Sequence, residues 1–213
     1  MKVIFVRHGE TSENVAKRHQ PEHTPLSING RKQAVAAGAR LQSVGVTHVV
    51  ASPLVRTLQT ASLIADQIDL IPSIDHSLKE LIRPASLTGF THRHYKSLLF
   101  YGVWYLGLVR VGESYAQIRD RIATAKQNIE RLPDDAVVVV VSHAVFMSLF
   151  IAHVCSPRPF SPLGAARTFI RLKKLKNTQM IEYTVATGTG LCGWVHTPGE
   201  LVEPQSHQKE QVT

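Results

Sequence analysis

Lys2-Val3-Ile4-Phe5-Val6-Arg7-His8-Gly9-Glu10-Thr11 opens the chain, a strand-like run passing directly into an arginine, a histidine and a glycine. β-Branched and aromatic side chains bounded by glycine fit a buried strand. Arg7 and His8 then stand where that strand ends, the edge at which open α/β sheets receive their ligands. Gly9 allows backbone to come close to a ligand. A strand that merely happens to end in Arg and His is the alternative reading, so the other strand ends must decide.

Working outward, Thr47–Ala51 reads as a second strand closed by Ser52-Pro53, and Leu70–Pro72 as a short third. Ala136–Val141 is the clearest strand; its side chains are all apolar, as a central parallel strand covered on both faces requires. It ends in Ser142-His143. Helices are expected at Thr11–Arg18 (Thr11 as N-cap, Asn14 in the capping-box position), Arg31–Ser43, Leu54–Gln67, Glu113–Leu132 and Ala144–Cys155, with Glu113 capping its helix. This alternation predicts an α/β protein with a mostly parallel sheet between helical layers. The segment 81–112 breaks the rhythm with a basic half, Arg83–Lys96, and an apolar half, Ser97–Val111. It reads as an insertion capping the strand ends. Arg167–Leu175 and Gln179–Val185 read as a hairpin at one sheet edge. One domain over 1–197 is expected, followed by a disordered tail over 198–213.

A chain of 213 residues with 44% apolar and 19% charged residues is globular in composition. A formal charge of +8 favours anionic ligands. The basic residues are scattered, apart from an exposed-strand pattern at 171–176, so no nucleic-acid partner is expected. Cys155 and Cys192 lie far apart without metal-site spacing and are expected as free thiols in a reducing cytosol. The run before Arg7 is too short for a signal peptide. Ala136–Val154 divides at Ser142-His143 into strand and helix, so no membrane span is expected and a cytoplasmic location is. Gly188-Thr189-Gly190-Leu191-Cys192-Gly193 satisfies a dinucleotide-binding string. The chain leaves no room after it for the helix and strand that motif needs.

Parallel strands bring Arg7-His8, Ser52 with Arg56 in the next helical turn, and Ser142-His143 to one edge of the sheet. Helix N-termini offer free N–H groups to anions, and arginine offers a fork that matches phosphate. Metal ligation by His8 and His143 is disfavoured because Arg7 and Arg56 would repel a cation. A histidine surrounded by phosphate-binding cations is instead placed to attack phosphorus. Such a reaction also needs a proton donor for the leaving oxygen. His92-Arg93-His94-Tyr95-Lys96 either reaches the substrate from above or is a solvated loop. The remaining histidines, His19 among them, read as ordinary surface or core residues.

Arg7-His8-Gly9-Glu10-Thr11 with Asn14, Pro25-Leu26-Ser27 with Gly30, Ser52-Pro53 with Arg56 and Gln59-Thr60-Ala61, Gly112-Glu113-Ser114 with Arg121, and Val141-Ser142-His143 together resemble the histidine phosphatase superfamily. The likeness spans about residues 1–155. It implies a phosphoglycerate-mutase-like α/β/α sandwich, with His8 as the nucleophile that becomes phosphorylated. Arg7, Arg56 and His143 would hold the phosphoryl oxygens, Asn14 would add a hydrogen bond, and Glu80 would be the general acid. Neither a metal nor a cofactor is implied. The sequence after Glu80, Leu81-Ile82-Arg83-Pro84, departs from the Gly-containing, acidic stretch frequent in the family. A structural Glu80 paired with Arg83 is therefore the competing reading, and Glu13 a rival acid. The expected activity is metal-independent hydrolysis of a small phosphorylated metabolite. A phosphoglycerate-type mutase, an idle binder of phosphorylated ligands and a homodimer are left open.

Overall fold

The structure, a computed structural model, describes residues 1–155, 175–186 and 193–196. The tail over 198–213 and, except for Leu175, the expected strand Arg167–Leu175 lie outside the described residues. In chain order the elements are β1 (Lys2–Arg7), α1 (Ser12–Val15), α2 (Ile28–Leu41), β2 (His48–Ala51), α3 (Val55–Ala65) and β3 (Ser73–Ile74). They continue with α4 (Tyr95–Tyr105), α5 (Tyr115–Glu130), β4 (Val137–Ser142), α6 (Ala144–His153), β5 (Met180–Val185) and β6 (Trp194–His196).

The strands form one sheet in the order β3-β2-β4-β1-β5-β6. β3, β2, β4 and β1 are parallel, while β5 runs antiparallel to β1 and β6 antiparallel to β5. Side chains of a strand alternate between faces, and this alternation creates two cores. Val3, Phe5, Val138 and Val140 pack with Ile118 and Ile122 of α5 and Phe146 and Phe150 of α6. Ile4, Val6, Val139 and Val141 pack with Ala37 and Leu41 of α2 and Ala61 and Ile64 of α3. Each large apolar side chain buried this way contributes about 1.5–3 kcal/mol. The result is the expected three-layer α/β/α sandwich.

Local differences from the sequence reading have identifiable causes. α2 begins at Ile28 because the Ser27 hydroxyl accepts from Gly30 N, at 2.9 Å, and caps the helix three residues earlier. The third strand is Ser73–Ile74 because Asp69 turns the chain at φ 53° and Leu70 N donates to Ala65 O, closing α3. α5 is capped by Ser114 rather than Glu113, whose carboxylate is taken by Arg121. β5 lies between β1 and β6 and is not the sheet edge. Cys155 is disulfide-bonded, not the free thiol expected. It follows α6, where the sheet brings the carbonyl of Trp194 within 3.5 Å of its sulfur, a proximity that sequence spacing does not reveal. Cys192 lies outside the described residues.

The 81–112 segment, expected as a cap, holds one short 3-10 turn, Ala85–Leu87, and α4. Leu81, Leu87, Phe100 and Trp104 sink into the α5/α6 core. Its far side docks on the loop after α1, where His19 N donates to Phe90 O (2.9 Å) and His92 N to Lys17 O (3.0 Å). Among the described residues no helix is long and apolar enough to cross a membrane.

Candidate active site

Sheet register assembles the site. Arg7 of β1 stands opposite Ser142 of β4, and His8 N donates to Ser142 O at 3.0 Å. Ala51 of β2 stands opposite Val141, and Ser52 N donates to Val141 O at 3.0 Å. His8, Ser52 and His143 therefore leave three adjacent parallel strands at one level. Gly9 and Gly30 let the loop after β1 lie directly on the first turn of α2. A Cβ on Gly30 would come 2.0 Å from Glu10 O, and one on Gly9 2.5 Å from Gly30 O.

His8 is 3% exposed, and its Nδ1 lies 2.7 Å from Gly9 O. A carbonyl only accepts, so Nδ1 carries the hydrogen and Nε2 keeps its lone pair. Burial, then Arg56 and Arg7, hold the imidazole well below its ordinary pKa, with the Gly9 bond opposing them. Gly9 N in turn donates to Thr60 Oγ1 (3.0 Å), fixing the loop to α3.

The His143 ring lies 5.3 Å from that of His8, centroid to centroid, and is fully buried at the N-cap of α6. Its Nε2 is 2.8 Å from Ser52 Oγ, while its Nδ1 is buried without a partner among the described residues. Burial, then Arg56, His8, Arg7 and Arg121, lower its pKa well below the ordinary value. Both imidazoles are therefore neutral near pH 7.

Arg7 donates to Leu175 O and Arg56 to Pro21 O at 3.1 Å. Neither forms an ion pair among those of the described residues, and the Nε of each is buried without a partner there. Burial lowers the pKa of Arg7 and pushes Arg56 down to about 10, so both remain cations. Two guanidiniums without ion-pair partners among the described residues, Arg56 buried and Arg7 half-buried, constitute a site for an anion.

Asn14 completes the capping box with Thr11. Its Oδ1 accepts from Thr11 N (3.3 Å) and from Asn177 Nδ2 (3.2 Å), so the free end of the amide is its NH2. Asn177 also donates to His8 O at 3.0 Å. Nothing in the sequence pattern marks this second strut, because Asn177 falls between the two strands expected of the hairpin.

Glu80 is not paired with Arg83. Its Oε1 accepts from Leu81 N (2.9 Å) and Phe146 N (3.0 Å), its Oε2 from Val145 N (3.3 Å). The carboxylate thus rests on the N-terminus of α6, the helix that His143 begins. Glu13 does not line the cavity that Arg7, His8, Asn14, Arg56 and Glu80 share. That cavity measures about 1120 Å³ and continues along the cap past Leu81, Arg83, Leu87, His92, Tyr101 and Trp104. His143 stands beside His8 without forming part of the wall. Such an arrangement can accept a phosphoryl group at His8 Nε2, neutralise it with two arginines and place a carboxyl group beside it.

Comparison with known proteins gives the same picture. Residues 3–169 match the model of the histidine phosphatase superfamily, branch 1. The chain is 30% identical over 210 residues to a probable phosphoglycerate mutase, GpmB, of Salmonella paratyphi B, covering 94% of each protein. Among solved structures, YhfR of Bacillus stearothermophilus superposes with a TM-score of 0.73 at 25% identity, over 92% of this chain and 95% of that one. A mycobacterial glucosyl-3-phosphoglycerate phosphatase, solved with VO3, superposes with a TM-score of 0.71 at 23% identity, over 92% and 96%. With a family model matched over most of its length and a relative 30% identical along nearly all of it, the chain belongs to the histidine phosphatase superfamily.

Proposed function

We propose that the protein hydrolyses a small phosphomonoester without a metal, through a phosphohistidine on His8. The observation that carries this reading is the pinned tautomer of His8: Nδ1 is spent on Gly9 O, which leaves the Nε2 lone pair in a cavity that His8 shares with Arg7 and Arg56, neither of them ion-paired among the described residues. In the first step Nε2 attacks phosphorus, the N–P bond forms and the ester P–O bond breaks. The Glu80 carboxyl group gives its proton to the departing oxygen. Oε2 is the oxygen suited to this, because it accepts one long N–H bond while Oε1 accepts two shorter ones. In the second step Glu80 takes a proton from water, the water oxygen attacks phosphorus and the N–P bond breaks. Products are an alcohol and inorganic phosphate.

Arg7 and Arg56 bind the equatorial oxygens as charge shifts onto them, and the Asn14 amide adds a donor. For His143 to donate from Nδ1 to the phosphoryl group, Nε2 must accept from the Ser52 hydroxyl, which positions the ring. The name of the Salmonella relative favours a second reading, a phosphoglycerate-type mutase. It differs in outcome: a mutase returns the phosphoryl group to an acceptor hydroxyl, a phosphatase releases it.

The test is turnover of p-nitrophenyl phosphate with and without EDTA, plus acid-quench detection of a labelled phosphoenzyme. Release of phosphate unaffected by EDTA, with both signals abolished in His8→Ala, is expected. Turnover surviving in His8→Ala would remove the nucleophile assignment. Loss of activity in EDTA alone would replace the metal-free mechanism, and phosphoryl transfer between glycerate hydroxyls outpacing phosphate release would favour the mutase.

A further inference from the structure

The cavity carries more positive charge than one phosphate needs. Lys17, Arg18, Lys79, Arg83 and Arg93 join Arg7 and Arg56 along its wall, against the carboxylates of Glu22 and Glu80. Glu22 is already paired with Lys79 at 3.6 Å, and Glu80 is taken up by the N–H groups of α6. The cap arginine Arg83 is different from the solvated cations around it, because its fork is fixed. Its Nε donates to Tyr101 Oη at 2.9 Å and its Nη1 reaches Leu81 O at 3.4 Å. Nη2 has no hydrogen-bond partner, and Arg83 no ion pair, among those of the described residues. Arg83 is half-buried, and although burial disfavours its charge, Tyr101 and Glu80 outweigh this and raise its pKa, so it stays a cation with Nη2 left to meet a bound anion.

We infer that Arg83, oriented by Tyr101, forms a second anion subsite on the cap wall, specific for a phosphomonoester whose leaving group carries a further carboxylate or phosphate. This rests on the reading of Arg7, His8 and Arg56 as the site of the transferred phosphoryl group. Arg83 lies three residues after Glu80, so the backbone between them spans at most roughly 10 Å. The second anion therefore sits a few bonds from the ester oxygen that Glu80 protonates. His92, itself exposed, lines the same stretch of wall, and partial desolvation and Arg83 lower its pKa, which leaves it a ring N–H to add to the subsite. Its ring is set edge-on against buried His19 at 4.6 Å.

The subsite can be read by equilibrium binding, independently of turnover. Calorimetric titration of the full chain would use propylphosphonate, 3-phosphonopropionate and propane-1,3-bisphosphonate, which share a carbon skeleton and are not hydrolysed. Wild-type protein is expected to bind at least one of the two-anion ligands more tightly than propylphosphonate by roughly tenfold or more. Whichever it is distinguishes a carboxylate from a phosphate. In Arg83→Met that ratio is expected to fall to near one, and in Arg83→Lys to an intermediate value, since the charge remains and the fork is lost. Circular dichroism and thermal unfolding of both variants confirm that a lost ratio is not a lost fold. Equal affinity for all three ligands in the wild type would overturn the subsite, as would an unchanged ratio in a folded Arg83→Met. Absence of p-nitrophenyl phosphate turnover alongside an intact two-anion preference would instead count against the phosphatase reading alone.

Discussion

At the scale of single residues, the site depends on which atoms are already engaged. The proposed nucleophile is Nε2 of His8 because Gly9 O occupies Nδ1, and Asn14 offers its NH2 because Oδ1 accepts from Thr11 and Asn177. Glu80 has the most specific consequence. A proton donor matters more as the leaving oxygen becomes more basic, so Glu80→Gln should slow an alkyl phosphate about 100-fold or more, a range typical of general-acid loss. The same variant should slow p-nitrophenyl phosphate far less, since its leaving group departs without protonation. Comparing kcat for the two esters checks this. Equal slowing would assign Glu80 a merely structural place under α6 and move the proton donor elsewhere.

At the scale of elements, the segment that carries Glu80 has little regular structure of its own and is braced from α5. Arg121 grips Glu113 with two bonds of 2.7 Å, donates to Ser77 O at 2.9 Å and also bonds Lys79 O. A further bond to the Glu113 carboxylate, from Ile82 N at 3.2 Å, ties the chain just beyond Glu80 to the same pair. The pair is nearly buried, with side-chain exposures of 15% and 6%. Removing one charge from such a pair leaves the other uncompensated, so Glu113→Gln should cost about 3 kcal/mol in urea unfolding. A loss below about 0.5 kcal/mol, the scale of ordinary surface changes, would mean that the pair does not brace the segment.

At the scale of the whole molecule, the sheet buries neutral imidazoles among cations, and this couples stability to pH. His8 and His143 have pKa values lowered by burial and neighbouring arginines, and His19 is pushed down to about 3 by burial, Arg83 and His92. Unfolded histidine titrates near ~6.5, so between that value and the folded one the unfolded chain binds more protons. Stability is therefore fully present above pH ~6.5 and is lost as pH falls from there towards about 3 for His19. Free energies of unfolding measured at neutral pH and near pH 5 should differ by more than ~1.4 kcal/mol, the yield of one such group over one pH unit. His19→Gln should make the decline shallower. A flat profile would mean that these rings are hydrated and protonated in the folded state.

The alternation of apolar runs with helical periods determined the α/β class, because strands buried on both faces must be apolar throughout, as Val137–Val141 is. Arg7, His8, Arg56 and His143 were legible for a related reason: each lies at or just beyond the end of such a strand, or in the helical turn that follows, and parallel strands share an edge. Local patterns placed the Thr11–Asn14 capping box as well. Tertiary structure alone decided the remainder. Whether Glu80 meets Arg83 or the N-terminus of α6 depends on how a strand-poor segment is pinned by Arg121, 41 residues away in sequence. Asn177 reaches His8 across 169 residues, and Cys155 lies beside the carbonyl of Trp194 through sheet order rather than spacing. Hydrophobic periodicity reports which face of an element is buried. It carries no information about the partners that long-range packing brings to a polar atom.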